Sequence, residues 1–442
     1  IQRRNQKVVE EAPSPLLDVR TRQAMGAQAV ALAKAVGYDS AGTVEFVASQ
    51  DKSFYFLEMN TRLQVEHPVT EMVTGIDLVE QMILSAAGEP LSLRQSDVTF
   101  SGWAIETRIY AEDPDRGFLP STGRLVRYRP LAAIDAGPVS LRNDTGVEEG
   151  SEITIHYDPM ISKLVTHAGT RLAAIDAQLD ALDNYYVDGI RHNIPFLSAV
   201  MRHPRWRAGD LATGFIADEF PDGCSRQVPA GEHRTVLCAV AAAIDHLSNM
   251  RRRNISQQMS GAPVRFPGRR VVMLGQDACQ VEVDGDLKDP VRVSLLDEDG
   301  KATETMLVVS EWWPGEPVWR GSIGGLQASV QVRPLLNGFE LTHRGFVVPA
   351  RVYTRREAEL VTRIPARPPR DFSKLVLCPM PGLVRAIHVE QGQRVRAGDP
   401  LAVIEAMKME NVLRAERDGL VKKIGARPGD NLAVDHVIVE LE

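Results

Sequence analysis

Residues 378–411 read CPMPGLVRAIHVEQGQRVRAGDPLAVIEAMKMEN, with the tetrapeptide AMKM at 406–409. Within this stretch, residues 382–405 (GLVRAIHVEQGQRVRAGDPLAVIE) align without a gap with residues 419–442 (GLVKKIGARPGDNLAVDHVIVELE). A short internal repeat of apolar segments separated by glycine predicts two matching halves of one small β unit. Lys408 lies between the halves, and we expect it on the tight turn of a hairpin at one end of the unit.

The chemical role of Lys408 is not decided by its neighbours alone. Most lysines between methionines are solvated charges beside core residues. The segment resembles the biotinyl carrier domain of biotin-dependent carboxylases, in which the lysine of an AMKM motif carries biotin through an amide. A lipoyl domain has the same doubled β architecture and is the alternative. Its lysine usually follows an acidic residue, whereas Met407 precedes Lys408 here, so the resemblance favours biotin.

Composition sets broad limits on the rest of the chain. Its 442 residues suffice for roughly three domains. A net charge of −7 argues against nucleic-acid binding, and because no run of 18 apolar residues occurs, no membrane span is expected. The chain opens with IQRRNQKVVEEAP, without Met or a signal-peptide core, so we expect it to begin inside a domain. The four cysteines are scattered without a C-x-x-C pair, which indicates a reduced intracellular protein without structural zinc.

A second group of polar residues follows a predicted hairpin. Residues 42–60 (GTVEFVASQDKSFYFLEMN) predict two strands joined by a short polar turn around Asp51 and Lys52. If this turn has two residues, Glu45 lies opposite Glu58. Facing carboxylates repel each other unless a cation lies between them. We predict that the second strand continues with period two through residues 57–66. One face of this strand would carry Glu58, Asn60, Arg62, Gln64 and Glu66.

Two interpretations of this face stay open from residue types alone. One is a half-exposed strand with a solvated polar face. The other is a phosphate–metal site, since carboxylate and amide oxygens suit Mg²⁺ and Arg62 offers a planar fork for an anion. Glu66 would serve as a general base in the second case.

Residues 54–71 (FYFLEMNTRLQVEHPVTE) are similar to the signature of the ATP-grasp biotin carboxylase. The resemblance implies that Glu45, Glu58 and Asn60 hold the Mg²⁺ or Mn²⁺ ions that bridge ATP. It also implies that Gln2 lies near the nucleotide. The glycine-rich lid and the nucleotide-binding lysines of the family would lie upstream of residue 1, so the chain as given is not expected to hydrolyse ATP unaided.

The same resemblance assigns the carboxylation chemistry. The implied bicarbonate-binding residues are Lys7, Arg62, Gln64 and Val65. Glu66 would deprotonate bicarbonate. Arg108, in AIETRIYAEDP, would stabilise the enolate-like oxygen of biotin.

The middle of the chain carries no catalytic pattern. Residues 232–249 predict an amphipathic helix. Earlier in the chain, residues 153–169 (ITIHYDPMISKLVTHAG) predict a strand, a loop and a helix start. Six segments then predict an antiparallel barrel, namely VVMLG, CQVEVDG, VRVSLLDEDG, TMLVVS, GFELTHRG and VVPARVY. The family resemblance implies a domain that docks the subunit onto a carboxyltransferase. Residues 360–372, rich in proline and arginine, predict an extended linker.

The predicted fold is therefore multidomain α+β, in three parts. Residues 1–222 would be the C-terminal half of an ATP-grasp biotin carboxylase, residues 223–370 a helix-plus-antiparallel-β-barrel docking domain, and residues 371–442 an all-β, lipoyl-like biotinyl domain. The resemblance covers essentially the whole chain and is to the α subunits of acyl-CoA carboxylases, with propionyl-CoA as the expected substrate. The alternatives are the 3-methylcrotonyl-CoA enzyme, pyruvate carboxylase and a non-catalytic carrier and docking module.

The resemblance also implies cofactors and partners. The cofactors would be biotin on Lys408, ATP and Mg²⁺ or Mn²⁺, with bicarbonate as co-substrate. A carboxyltransferase β subunit would bind the acyl-CoA, and biotin protein ligase would attach the biotin, within a large hetero-oligomer. The implied location is a bacterial cytoplasm or the mitochondrial matrix.

Overall fold

A computed structural model describes residues 1–3, 6–134, 137–154, 156–221, 228–257, 265–286, 290–365, 374–406 and 409–442. Lys408 lies outside the described residues, as do both predicted domain boundaries and most of the predicted linker at 360–372. None of the helices in these ranges has the length and apolarity needed to cross a bilayer.

The first region combines a central antiparallel sheet with helices on both faces. Its strands are β1 (Gln2–Arg3), β2 (Gln6–Lys7), β3 (Val9–Ala12), β4 (Thr43–Ala48), β5 (Phe54–Asn60), β6 (Trp103–Tyr110), β7 (Glu112–Asp113), β8 (Leu119–Pro120), β9 (Gly123–Arg124), β10 (Arg127–Arg129), β11 (Val139–Thr145), β12 (Glu152–Ile153), β13 (Met160–Ala168) and β14 (Tyr186–Asp188). Its helices are α1 (Val19–Ala35), α2 (His67–Thr74), α3 (Leu78–Ala86), α4 (Arg171–Asn184), α5 (Ile194–Arg202), α6 (Pro204–Ala208) and α7 (Phe215–Glu219). The central sheet has the strand order β11-β13-β6-β3.

The alternation of side chains along β6 separates the two faces of this sheet. Ile105 and Ile109 belong to the main core together with residues of α4. On the opposite face, Ala104 packs with Val69 and Val73 of α2. Because side chains alternate along a strand, Glu106 and Arg108 lie on the same face of β6 as Ala104. This is the face that packs against α2.

Strand β13 corrects one prediction. Residues 160–168 form a single strand between β6 and β11, and α4 begins only at Arg171. The expected helix start was wrong, because residues 160–168 are strand, whereas the expected loop is present at residues 156–159. Because this central strand is buried on both faces, it lacks the alternation that identifies a half-exposed strand.

The second region is a closed antiparallel barrel around a helix. Its elements are α8 (Gly231–Arg253), β15 (Arg269–Leu274), β16 (Asp277–Asp284), β17 (Val291–Leu296), β18 (Ala302–Ser310), β19 (Val318–Ile323), β20 (Leu326–Leu335), β21 (Gly338–His343), β22 (Phe346–Tyr353) and α9 (Arg355–Val361). The predicted barrel is confirmed. The prediction missed β19 and β20, where Gly321 and the Gly324–Gly325 turn interrupt the apolar alternation.

Helix α8 lies inside this barrel rather than against it. It contacts every strand from β15 to β22, and residues 236–244 are all buried. The sequence suggested one apolar face, because the opposite face carries Cys238 and several alanines. These small residues bring the barrel wall close on that side as well, so the helix is enclosed all round.

The third region confirms the doubled β unit. Its strands are β23 (Leu375–Leu377), β24 (Gly382–Ile387), β25 (Arg394–Val395), β26 (Pro400–Ala406), β27 (Met409–Arg414), β28 (Gly419–Ile424), β29 (Asn431–Leu432) and β30 (Val437–Leu441). Strands β24, β25 and β26 begin at the positions that the repeat aligns with the starts of β28, β29 and β30. The short strand of each half pairs with a longer strand of the other half, β25 with β28 and β29 with β24.

The two halves also share a backbone requirement. The aligned Gly392 and Gly429 have φ of 83° and 95°, in the region that glycine adopts without strain. The N–H of Gly392 donates to the carbonyl of Val421, and that of Gly429 donates to the carbonyl of the aligned Val384. Each half therefore hydrogen-bonds its glycine turn to the backbone of the other half.

Candidate active site

Three side chains contact the ammonium group of Lys7. Its Nζ lies 2.5 Å from Glu66 Oε1, 3.0 Å from Glu45 Oε1 and 3.3 Å from Gln64 Oε1. Gln64 in turn donates from Nε2 to Glu45 Oε1 at 2.7 Å. The structure thus brings together four of the predicted residues, which lie on β2, on β4 and in the connection between β5 and α2.

Lys7 and Glu45 each stabilise the charged form of the other. Burial opposes the charged form of Lys7, but hydrogen bonds to Glu66 and Glu45 outweigh it and raise the lysine pKa. The hydrogen bond from Gln64, reinforced by Lys7 against the effect of burial, lowers the pKa of Glu45. Both groups are therefore held in their charged forms.

The β4–β5 hairpin places Glu45 opposite Glu58, as predicted, but by a different route. Ala48 pairs with Phe54, so the connection comprises residues 49–53 and is longer than the two-residue turn on which the pairing was predicated. A β-bulge between Glu45 and Phe46 then shifts the register and restores the Glu45–Glu58 pair. The sequence did not reveal this bulge.

Asn60 connects the two facing carboxylates. Its Nδ2 donates to Glu45 Oε1 at 3.1 Å and to Glu58 Oε1 at 3.0 Å. A rotation of the amide by half a turn would present Oδ1 to the same point, giving two carboxylates and an amide oxygen. That donor set fits Mg²⁺ or Mn²⁺ with phosphate oxygens completing the coordination.

The predicted strand across residues 57–66 was wrong beyond Asn60. Strand β5 ends there, and the chain turns into α2 at His67, whose N–H donates to the carbonyl of Gln64. Pro68 in the first turn of α2 was the available signal for this helix start. The polar residues after Asn60 therefore reach the site from a turn and not from a sheet face.

Glu66 joins the lysine to an arginine. Its Oε2 accepts from Arg108 Nη2 at 3.0 Å, while its Oε1 accepts from Lys7. Arg108 also donates from Nε to Glu10 Oε1 at 2.6 Å. Glu66 is the residue before the first turn of α2, so the start of that helix aims it at the two cations.

A second lysine fixes the backbone of the same turn. Lys163 Nζ lies 3.0 Å from the carbonyl oxygen of Val65 and 3.1 Å from Asp144 Oδ2. Asp144 is also paired with Arg142, whose Nη1 lies 2.6 Å from Glu71 of α2. These contacts hold both ends of α2 against β11 and β13.

Two predicted residues take no part in this network among the described contacts. Arg62 is exposed and donates only to the carbonyl of Leu63 among the described residues, although its charge reaches Glu45. Gln2 is the Cα partner of Lys7 in the β1–β2 ladder. Lys408 is not described, but Ala406 and Met409 on either side of it are Cα partners at the end of the β26–β27 hairpin.

The sequence prediction missed Glu10, Glu106 and Lys163. Glu106 and Arg108 stand two residues apart in an apolar strand, a spacing that places both on one face. That pattern was visible in AIETRIY. Glu10 and Lys163 are brought to the same face only by the pairing of β3 and β13 with β6.

Four families match successive parts of the chain. They are described as carbamoyl-phosphate synthase L chain, ATP binding domain, at residues 1–94; biotin carboxylase C-terminal domain at 106–218; propionyl-coenzyme A carboxylase BT domain at 237–367; and biotin-requiring enzyme at 374–441. A propionyl-CoA carboxylase alpha chain from Ruegeria pomeroyi is 53% identical over 100% of this chain and 66% of its own length.

The chain belongs to the α-chain family of biotin-dependent acyl-CoA carboxylases. A second member of this α-chain family, the mitochondrial propionyl-CoA carboxylase alpha chain of Mus musculus, is 43% identical over 100% of this chain and 60% of its own length. The mouse methylcrotonoyl-CoA carboxylase subunit alpha is more distant, at 34% over 100% of this chain and 61% of its own. The chain therefore spans 60 to 66% of the length of these three relatives.

Proposed function

We propose that the chain supplies the biotin carboxylase and biotin carrier functions of propionyl-CoA carboxylase. The observation that supports this proposal most directly is the position of Glu66, whose two carboxylate oxygens face Lys7 and Arg108. A base between two fixed cations suits the deprotonation of an anionic substrate, because the cations offset the charge that develops.

The proposed roles follow from these contacts. Lys7 binds bicarbonate with Arg62, Gln64 and the backbone at Val65. Glu66 takes the proton of bicarbonate, and the resulting oxyanion attacks the γ-phosphorus of ATP. The bond to ADP breaks as carboxyphosphate forms. Most of the protein's contribution at this step is positioning and charge stabilisation. Gln2 lies beside the nucleotide.

Arg108 and the hairpin carboxylates have separate roles. Arg108 stabilises negative charge on the acceptor, with Glu10 holding its Nε edge. Glu45, Glu58 and Asn60 hold Mg²⁺ or Mn²⁺ against the phosphates. Biotin attached to Lys408, when present, carries the carboxyl group between active sites.

The proposed domain boundaries are 1–222, 223–370 and 371–442. They are supported by three separate hydrophobic cores, which lie within residues 8–216, 236–350 and 378–441. In the second domain we propose a docking site for a carboxyltransferase β subunit that binds the acyl-CoA, within a large hetero-oligomer. Biotin protein ligase would modify Lys408. The relatives support a bacterial cytoplasm or the mitochondrial matrix.

The test uses the biotin as a handle on the native full-length complex. The complex is captured on monomeric avidin and eluted with free biotin, which is then removed, and labelled bicarbonate is followed into propionyl-CoA, 3-methylcrotonyl-CoA and acetyl-CoA in parallel. We expect strong fixation into propionyl-CoA. A preference for 3-methylcrotonyl-CoA would overturn the substrate, and retention without any fixation would leave only a carrier and docking module. Absence of retention would overturn the role of Lys408.

A further inference from the structure

Two buried carboxyl side chains are cross-strand neighbours on the face of the central sheet that carries Arg108. Glu10 on β3 and Glu106 on β6 are Cα partners in the antiparallel ladder. Glu106 has no exposed surface, and the side chain of Glu10 is 8% exposed. Both oxygens of Glu106 and Oε2 of Glu10 are buried without a hydrogen-bond partner in the described part of the chain.

The nearby cations are engaged with other acids. Arg108 pairs with Glu10 and Glu66, and Lys163 pairs with Asp144. No described cation lies within ion-pair distance of Glu106. An ionised carboxylate buried without a donor is strongly disfavoured, and the group takes up a proton instead. Burial, followed by the charge of Glu10, accordingly raises the pKa of Glu106 to about 9.

The charged groups that act on Glu106 are Glu10 on β3, Arg108 on β6, Lys163 on β13 and Glu66 at the start of α2. Beyond them, Arg142 and Asp144 of β11 and Glu71 of α2 form ion pairs with one another and with Lys163. Carboxylates thus lie next to Glu106 at Glu10 and Glu66, which disfavours a further negative charge there.

We infer that Glu106 is a neutral carboxylic acid in the working enzyme and donates its proton in a hydrogen bond to Oε2 of Glu10. This bond occupies the free oxygen of Glu10 and leaves its Oε1 to hold Arg108. Glu106 is then a positioning residue, which acts on Arg108 through Glu10. Its effect on catalysis rests on the proposed function, whereas its protonation does not.

The first test compares thermal stability against pH for the full-length chain and its Glu106→Gln variant. Between the ordinary pKa of 4.5 and the raised value of about 9, folded Glu106 keeps a proton that the unfolded chain has released. Wild-type stability therefore falls as pH rises through this window. Glutamine cannot ionise in either state, so the Tm of Glu106→Gln relative to wild type should rise across the same window. A difference that is flat or falls with pH would overturn the inference.

A matched control shows the opposite behaviour expected of an ionised acid. Glu112 is also buried, but it pairs with Arg3 at 2.8 Å. Glu112→Gln breaks an ion pair and should lower Tm at neutral pH. If Glu106→Gln lowers Tm in the same way, Glu106 is ionised and the inference fails. Should Glu106→Gln not fold, a protonated-carboxyl C=O band in the infrared spectrum of wild type, absent from Glu106→Asp at the same frequency, decides the point.

The second test measures bicarbonate-dependent ATP cleavage with free biotin. Glu106→Gln keeps a donor to Glu10, so its activity should persist at neutral pH and its alkaline limb should move to higher pH. Glu106→Leu removes the donor and should reduce kcat roughly tenfold, the effect of leaving one buried acceptor unpaired. Equal loss in both variants would overturn the positioning role. Absence of bicarbonate-dependent cleavage in wild type would instead overturn the proposed function, while the Tm result stands.

Discussion

The carrier region and the carboxylase region reach their candidate sites in opposite ways. In the carrier, strands β24–β30 follow a repeat that is visible in the sequence, and the candidate lysine stands between the two halves. In the carboxylase region, Lys7, Glu45, Glu66 and Arg108 come from distant segments and meet only through strand pairing and helix packing. A candidate modification site can thus be recognised from a local sequence motif. A site that stabilises charge depends instead on how distant strands pair and how helices pack.

The largest effect is expected for a substitution that removes only the carrier function. Lys408→Arg should abolish avidin retention and acyl-CoA carboxylation completely, because a guanidinium does not form the amide that joins biotin. Bicarbonate-dependent ATP cleavage with free biotin should be unchanged. Lys423→Arg, at an exposed lysine of β28, is the matched control and should retain biotin. Overall activity persisting in Lys408→Arg would end the carrier assignment.

The next effect isolates the carboxylase. Glu66→Gln should reduce bicarbonate-dependent ATP cleavage by roughly 10²- to 10⁴-fold, the usual contribution of a general base. Biotin attachment, measured by avidin retention, should be normal. Glu89→Gln changes an exposed carboxylate beyond α3 and should leave the rate unaltered. Near-normal cleavage in Glu66→Gln would mean that another group takes the proton.

A smaller effect separates the metal ligands from the base. Glu58→Gln should raise the Mg²⁺ concentration needed for half-maximal ATP cleavage by roughly tenfold, since one anionic ligand is lost. Excess Mg²⁺ should then restore the rate, because Glu58 contacts only Asn60 among the described residues. The same excess should not rescue Glu66→Gln. Rescue of both variants, or of neither, would contradict the division of roles.

The limits of the sequence prediction follow from the same comparison. The doubled carrier, the barrel and the Glu45–Glu58 pair were predicted, because repeats, alternation and hairpins are local patterns. The bulge beside Phe46, the turn after Asn60 and the burial of Glu106 were not, because each depends on contacts between elements. The roles proposed for the site residues rest on the resemblance, since motif residues keep their identity even where the predicted element is wrong.

The smallest expected effect tests how far the repeat extends into packing. A Cβ on Gly382 would lie 2.7 Å from the carbonyl oxygen of Glu405 and 2.7 Å from Ile404 Cγ2. On the aligned Gly419 it would lie 3.3 Å from the carbonyl oxygen of Glu442. The two glycines are aligned in the repeat, but an added Cβ would have less room at Gly382 than at Gly419. Backbone must move to admit Gly382→Ala, at a cost of about 1–3 kcal/mol, whereas Gly419→Ala should cost under about 1 kcal/mol.

Hydrogen exchange of residues 374–442 in the full chain measures this difference without isolating the domain. Gly382→Ala should lower the protection of β24 and its partner β26 by more than Gly419→Ala lowers that of β28 and β30. Both glycines lie outside the left-handed region, so steric clearance and not backbone conformation decides the outcome. Equal losses would show that the halves relax alike. A larger loss in Gly382→Ala would place the tighter packing in the half whose β26 leads to Lys408, as expected if that hairpin must be held rigid.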